Sequence, residues 1–216
     1  MLRLCVMACI IGCAAESDDK GAAGIDVDGS VSLIDRDGTA DVAGVKAFGF
    51  NEGGRMGIMV SNNPDATCAG VAALLDGGGT VDPTDVYVAG TCHLWLSVAD
   101  YDGGWSHTYV EGDEGYSKAV SSNVNCAMGD GAFELVDTVN GPGYQWTGDW
   151  WVGSPVAYDF DFSGGDGDDF EVDIRMTQYQ GSFPLSDEFT TVLAQGEVSG
   201  GGVAKWCEAM GEASIF

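Results

Sequence analysis

Basic residues are scarce in this chain: 8 Lys and Arg stand against 34 Asp and Glu in 216 residues, a formal net charge of −26. A surface this acidic is repelled by nucleic acid and by anionic membrane surfaces, so nucleic acid is not among the expected partners. Histidine is nearly as rare. With only His93 and His107, and no C-x-x-C spacing, a zinc site lacks its ligands. Gly104-Trp105-Ser106-His107 does not fit the G-x-S-x-G frame of a nucleophile elbow. Glycine runs such as Gly200-Gly201-Gly202 lack the Lys-Ser/Thr that completes a phosphate-cradling loop. No apolar run reaches the roughly 20 residues of a membrane-spanning helix. No fixed-period repeat is present either, which argues against a propeller or a solenoid.

What is present begins with the leader. Arg3 is followed by the apolar run Leu4 to Ile11 and then Gly12-Cys13, the charge, core and processing order of a secretory signal. Ile10-Ile11-Gly12-Cys13 resembles the lipobox of bacterial lipoproteins, and the resemblance covers this leader only. It implies a signal peptide over residues 1–12, cleavage ahead of Cys13, and a diacylglyceryl group on that cysteine. The membrane is then a partner through lipid. More than one acyl chain is needed for a stable anchor, and the acylation usual in that family meets the need. With Ala14 and not Asp after the lipidated cysteine, the family pattern implies the outer membrane. The competing reading is an ordinary signal cut near Ala14-Ala15, which makes the protein secreted.

Residues 13–25 read as the lipidated cysteine and a flexible tether, small, polar and without period. About a dozen such residues hold a domain roughly 20 Å from its anchor. Residues 26–216 show no break in composition and read as one domain. The 45% hydrophobic residues of the whole chain are enough for a core, and the acidic excess suits solubility in salty water.

The fold class expected is all-β, an antiparallel β-sandwich or jelly roll with one short helix, stapled by disulfides. Short alternating segments separated by Gly, Asn, Asp or Pro run through most of the chain. The helix is expected over 66–75, where Cys68, Val71, Ala72 and Leu75 recur at i, i+3, i+4 and i+7. Cys5 and Cys9 leave with the signal. Cys68, Cys92, Cys126 and Cys207 then form two disulfides in an exported chain, with three possible pairings; Cys68–Cys207 with Cys92–Cys126 is favoured.

The sharpest local pattern runs from Pro155 to Tyr179. Tyr158, Phe160 and Phe162 alternate with Asp159 and Asp161; Phe170, Val172, Ile174 and Met176 alternate with Glu171, Asp173 and Arg175. Period-two alternation puts the apolar side chains on the core face and the four carboxylates together on the other. Like charges facing one another destabilise a strand pair, so an offset is expected. Asp159, Asp161, Ser163 and Gly164 resemble the start of an EF-hand calcium loop, and Asp159, Asp161, Ser163 and Asp166 are the candidate calcium ligands. The twelfth position of that loop is Phe170, with Glu171 one residue late. No cofactor other than calcium is expected.

Glu171-Val172-Asp173-Ile174 resembles the E-[IV]-D-[IV] segment of laminarinase-like jelly-roll glycoside hydrolases, which implies Glu171 as nucleophile. Where that family carries its acid/base glutamate this chain has Arg175 and Met176, so no catalytic residues are assigned. Tyr144, Trp146, Trp150 and Trp151 crowd one segment and are the candidate ligand-binding residues, since aromatic rings facing solvent stack on sugars. The expected role is therefore a non-enzymatic, lipid-anchored envelope protein of structural or binding function, with a glycan or an envelope protein as partner. The alternatives are a carbohydrate-binding module, possibly calcium-stabilised, and a degenerate jelly-roll hydrolase.

Overall fold

The computed structural model describes residues 25–33, 39–52, 54–77, 81–110, 120–128, 130–138, 141–165, 167–185 and 188–212. The leader, Cys13 and nearly all of the tether lie outside the described residues, as does Asp166.

The chain is built almost wholly of strands, in the order β1 (Asp26–Leu33), β2 (Thr39–Asp41), β3 (Lys46–Glu52), β4 (Arg55–Ser61), helix α1 (Cys68–Gly77), β5 (Cys92–Val98), β6 (Gly104–Val110), β7 (Val120–Met128), β8 (Phe133–Thr138), β9 (Gly141–Trp146), β10 (Asp149–Gly164), β11 (Phe170–Leu185), β12 (Glu188–Trp206) and helix α2 (Glu208–Glu212). A 3₁₀ turn, Pro83–Asp85, precedes β5. The helix expected over 66–75 is α1, shifted by two residues. α2, one turn after the last strand, is too short to carry a period and is not legible in the sequence.

Seven strands close on themselves. β3, β4, β5, β7, β10, β11 and β12 are each paired to the next, and β12 returns to β3 through Lys205↔Phe48 and Trp206↔Gly49. That last seam is parallel; the other pairings in the ring are antiparallel. β1 adds to the outside of β12 and carries β2 beyond it, β6 adds to β10, and β8 with β9 form a separate two-stranded sheet. The expected sandwich or jelly roll is thus corrected to a closed barrel. The cause is the length of three strands, 16, 16 and 19 residues in β10, β11 and β12. Each serves two walls. The first part of β10 pairs with β7 and its second part with β6. Register skips between Pro155 and Tyr158 on β10 and between Met176 and Gln178 on β11 are bulges at one level, and bulges bend and twist a strand pair.

The interior is filled as the alternation requires. Tyr158, Phe160 and Phe162 from β10 meet Phe170, Val172, Ile174 and Met176 from β11, with Met56, Ile58, Leu94, Leu96, Val98 and Val124 from the facing strands. Burying each of the large side chains stabilises the fold by about 1.5–3 kcal/mol. A second, smaller core forms outside the β3–β4–β5 wall, where Phe48, Phe50 and Met59 face Val71 and Ala72 of α1, Met210 of α2 and Val86. Disulfides staple both layers: Cys92–Cys126 joins directly opposed residues of β5 and β7, and Cys68–Cys207 joins the start of α1 to the end of β12. This is the pairing favoured from the sequence. Gly200 has φ +140, and a Cβ there would run into the Asp26 carbonyl of β1, so the close β1–β12 crossing depends on glycine.

Candidate functional site

The acidic face lies on the outer wall of the barrel, where β10 and β11 present Asp159, Asp161, Glu171 and Asp173 to solvent. Register sets their partners: Asp159 stands opposite Arg175, Asp161 opposite Asp173, and Ser163 opposite Glu171. Thr108 of β6 donates its hydroxyl to Asp159 Oδ1 at 2.8 Å, and Ser163 Oγ reaches Glu171 Oε2 at 3.5 Å. Arg175 pairs with Glu197 of β12 at 3.4 Å. An open groove of about 440 Å³ runs between Asp161, Ser163, Glu171 and Asp173 on one side and Gly202 and Val203 on the other. Gly201, opposite Asp173, brings no side chain to that groove, so its β12 side stays low.

Asp161 and Asp173 form a directly opposed like-charge pair in this sheet. Asp173→Asn should therefore raise the melting temperature by about 1–2 °C at low ionic strength, since such pairs destabilise by a few tenths of a kcal/mol. The gain should vanish near 1 M NaCl, where the screening length falls to about 3 Å. Differential scanning calorimetry in both buffers reads the effect.

At the hairpin tip an acid is fully engaged. Asp169 accepts from Lys205 Nζ at 2.7 Å and from the Trp206 backbone N–H at 2.9 Å. The hydrogen bond from Lys205, and then the one from Trp206, hold its carboxyl below the usual range.

Of the calcium ligands read from the sequence, Asp159, Asp161 and Ser163 follow one another along β10, and Asp166 lies outside the described residues. Asp159 and Asp161 lie two apart on an extended strand, Asp159 is taken by Thr108, and Ser163 points to Glu171. A calcium loop needs six to eight converging oxygens. Among the described residues no group of three or more His, Cys, Asp or Glu gathers in a metal-binding arrangement. Glu171, the residue matched to the hydrolase motif, sits on the same exposed outer wall. Arg175, four residues on, is ion-paired to Glu197.

The aromatic segment is divided between two sheets. Tyr144 and Trp146 belong to β9, whereas Trp150 and Trp151 belong to β10, in register with Ala127 and Cys126 of β7. Trp146 meets Phe133, directly opposite it in the β8–β9 hairpin, with the rings tilted and their centroids 5.0 Å apart. Phe133 in turn meets Tyr87 at 6.1 Å and so ties the hairpin to the barrel. Tyr144 faces Leu135, which is 60% exposed, and the pair forms an apolar spot toward the outer part of that hairpin. Four aromatics close in sequence thus serve two separate elements.

The histidines hold the main surprise. Both read from the sequence as ordinary polar residues. His93 is fully buried under the α1 side of β5, and neither ring nitrogen has a hydrogen-bond partner among the described residues. Tyr87 packs edge-on against its ring at 4.0 Å. The Val86 carbonyl nearby is taken by the Asn63 side-chain amide at 2.9 Å. Burial pushes the pKa of His93 down to about 3, against a smaller opposing pull from that carbonyl. Burial likewise pushes the Tyr87 hydroxyl up to about 12, while the Trp95 indole N–H that it accepts at 3.3 Å works the other way. His107 lies on β6 between Trp105 and Tyr158, at ring distances of 5.4 and 5.9 Å, and its Nε2 is buried without a hydrogen-bond partner among the described residues. The β5 pattern carried a signal for His93, since it shares the outward parity of Trp95, but nothing in the sequence shows that the second core covers that face.

No protein-family model matches this chain, and no curated protein or solved structure is similar enough to match it.

Proposed function

We propose that this chain is a lipid-anchored protein of the bacterial cell envelope, held through Cys13, with a non-enzymatic binding or structural role. The observation that carries the reading is the pair of disulfides, Cys92–Cys126 and Cys68–Cys207, with three of the four cysteines buried. Such bonds form and persist in oxidising compartments, and the lipobox-like leader supplies the route to one. The low-complexity stretch before Ile25 suits a spacer between lipid and barrel. The acidic outer wall suits an outside medium. A non-enzymatic role is supported by the site chemistry: the aligned carboxylates stand open to water on the outer wall, and His93 is sealed from it.

Metabolic labelling with palmitate tests the anchor. The native chain is expected to take up label and to fractionate with the outer membrane; Cys13→Ala should abolish label and leave an unprocessed precursor. Unlabelled, soluble secretion of the native chain contradicts the reading.

A further inference from the structure

We infer that the Cys68–Cys207 disulfide is a thiol-exchange site, opened by a dithiol protein whose reactive cysteine is flanked by basic residues. The two disulfides of this fold are unequal in access. Cys92 and Cys126 are both buried, opposite one another in the β5–β7 ladder. Cys207 is buried as well, but Cys68 is only partly so and stands as the first residue of α1. Thiol exchange needs a sulfur that an incoming thiolate can reach, so attack falls on Cys68. The same placement favours release. A thiolate at the amino end of a helix is stabilised by the helix dipole, and α1 carries no acidic residue in its first turn to cancel it. Cys92 and Cys126, both on strands, have no such support.

The surroundings of Cys68 set the partner's charge. A groove of about 390 Å³ adjoins it, with Asn63, Asp65 and Thr67, the residue before Cys68, on one bank and Thr84, Asp85 and Val88 on the other. The second bank lies against α1: a Cβ on Gly70 would meet the Thr67 Oγ1 at 3.2 Å and the Asp85 Cβ at 3.4 Å. Asp65 and Asp85 are exposed, and the described lining holds no basic residue. These two carboxylates oppose a thiolate on Cys68. Lysine or arginine beside an attacking cysteine pairs with them and removes that opposition, whereas an acidic thiol is repelled.

In the first step the partner's thiolate bonds to Cys68 Sγ, the Cys68–Cys207 bond breaks, and Cys207 leaves with the electron pair and takes a proton. The partner's second thiol then attacks its own cysteine in the mixed disulfide, and Cys68 departs as thiolate. The partner ends as a disulfide and this chain as a dithiol, two electrons and two protons having passed between them. Exchange unclamps α1 from the end of β12, where the ring is closed by two residue pairs, and leaves Cys92–Cys126 in place.

The test uses the purified full chain in solution, without membrane, so its outcome is independent of the lipid anchor. The probes are two C-x-x-C peptides, one with a lysine at each end and one with a glutamate at each end, and rates are compared per thiolate. Under native conditions the lysine peptide should open Cys68–Cys207, read by alkylation and peptide mass mapping, while Cys92–Cys126 stays closed. Its single-cysteine form should be trapped on Cys68. At low salt the glutamate peptide should react about fivefold more slowly, and the gap should close near 1 M NaCl, where the screening length is about 3 Å. Asp85→Asn and Asp65→Asn, both exposed changes, should each narrow the gap with the melting temperature unchanged. An adduct on Cys207, equal rates for the two peptides, or two disulfides that open together and only as the chain unfolds would overturn the proposal.

Discussion

Replacing Cys68 and Cys207 together by alanine should lower the melting temperature by roughly 5–15 °C, the equivalent of about 2–4 kcal/mol. The bond spans 139 residues of sequence, and the chain-entropy model gives about 5 kcal/mol for so long a loop, an upper figure that measured disulfides seldom reach. Its position adds to the expectation. The barrel ring is closed between β12 and β3 by only two residue pairs, and Cys207 follows at once, its N–H donating to the Gly49 carbonyl at 2.9 Å. Cys68 begins α1, whose Val71 and Ala72 cover Phe48 and Met59 together with Met210. Without the bond, α1 is no longer held against the end of β12, and the weakest seam of the barrel loses its clamp. Hydrogen exchange should therefore quicken first in β3, the end of β12 and α2, while β5 and β7 stay protected by their own seven-pair ladder and the Cys92–Cys126 bond. Uniform loss of protection, or no loss, contradicts this division of labour.

His93→Phe should remove a large source of acid sensitivity from the fold. The buried imidazole has a native pKa of about 3 against about 6.5 when unfolded. The unfolded chain therefore takes up the proton first, and the sign of the linkage follows. Stability is undiminished above pH 6.5 and falls as pH drops toward 3, by roughly 4–5 kcal/mol in all for the 3.5-unit difference. Phenylalanine keeps a ring beside Tyr87 and carries no proton. At pH 7 the variant should match or slightly exceed the native protein, since two unpartnered buried nitrogens are lost with the imidazole. The contrast between native and variant in urea titrations at pH 7, 5 and 4 isolates this residue from the carboxylates, which are common to both. A gap that does not widen on acidification would show that His93 is neutral or charged alike in both states.

Legibility in the sequence was uneven, for physical reasons. The alternation placed the side chains from Tyr158 to Phe162 and from Phe170 to Met176 on their true faces, because one wall is core and the other is water. The four mature cysteines and the short period-3.6 run at 68–75 were also readable. The closed barrel was not. Gly153, Pro155, Gly181, Gly196 and Gly200–Gly202 look like turn residues, and they split three long strands into short ones on paper. In the structure Gly153 and Pro155 fall in the bent part of β10, and Gly196 and Gly200 lie where β1 crosses close to β12. The division of the Tyr144–Trp151 segment was hidden for a related reason: the turn at Thr147-Gly148 passes the chain from one sheet to another, which local composition does not record. His93 was out of reach because nothing in the local pattern of β5 records that Tyr87, from the loop ahead of it, packs over its ring.

The most direct measurement is the intact mass of the chain extracted from membranes, before and after reduction. The account predicts a polypeptide that begins at Cys13, carries the added mass of diacylglycerol, and gains about 4 Da on reduction, two for each of the two disulfides. A chain cut after Ala15 without lipid, or one whose mass is unchanged by reductant, would contradict it.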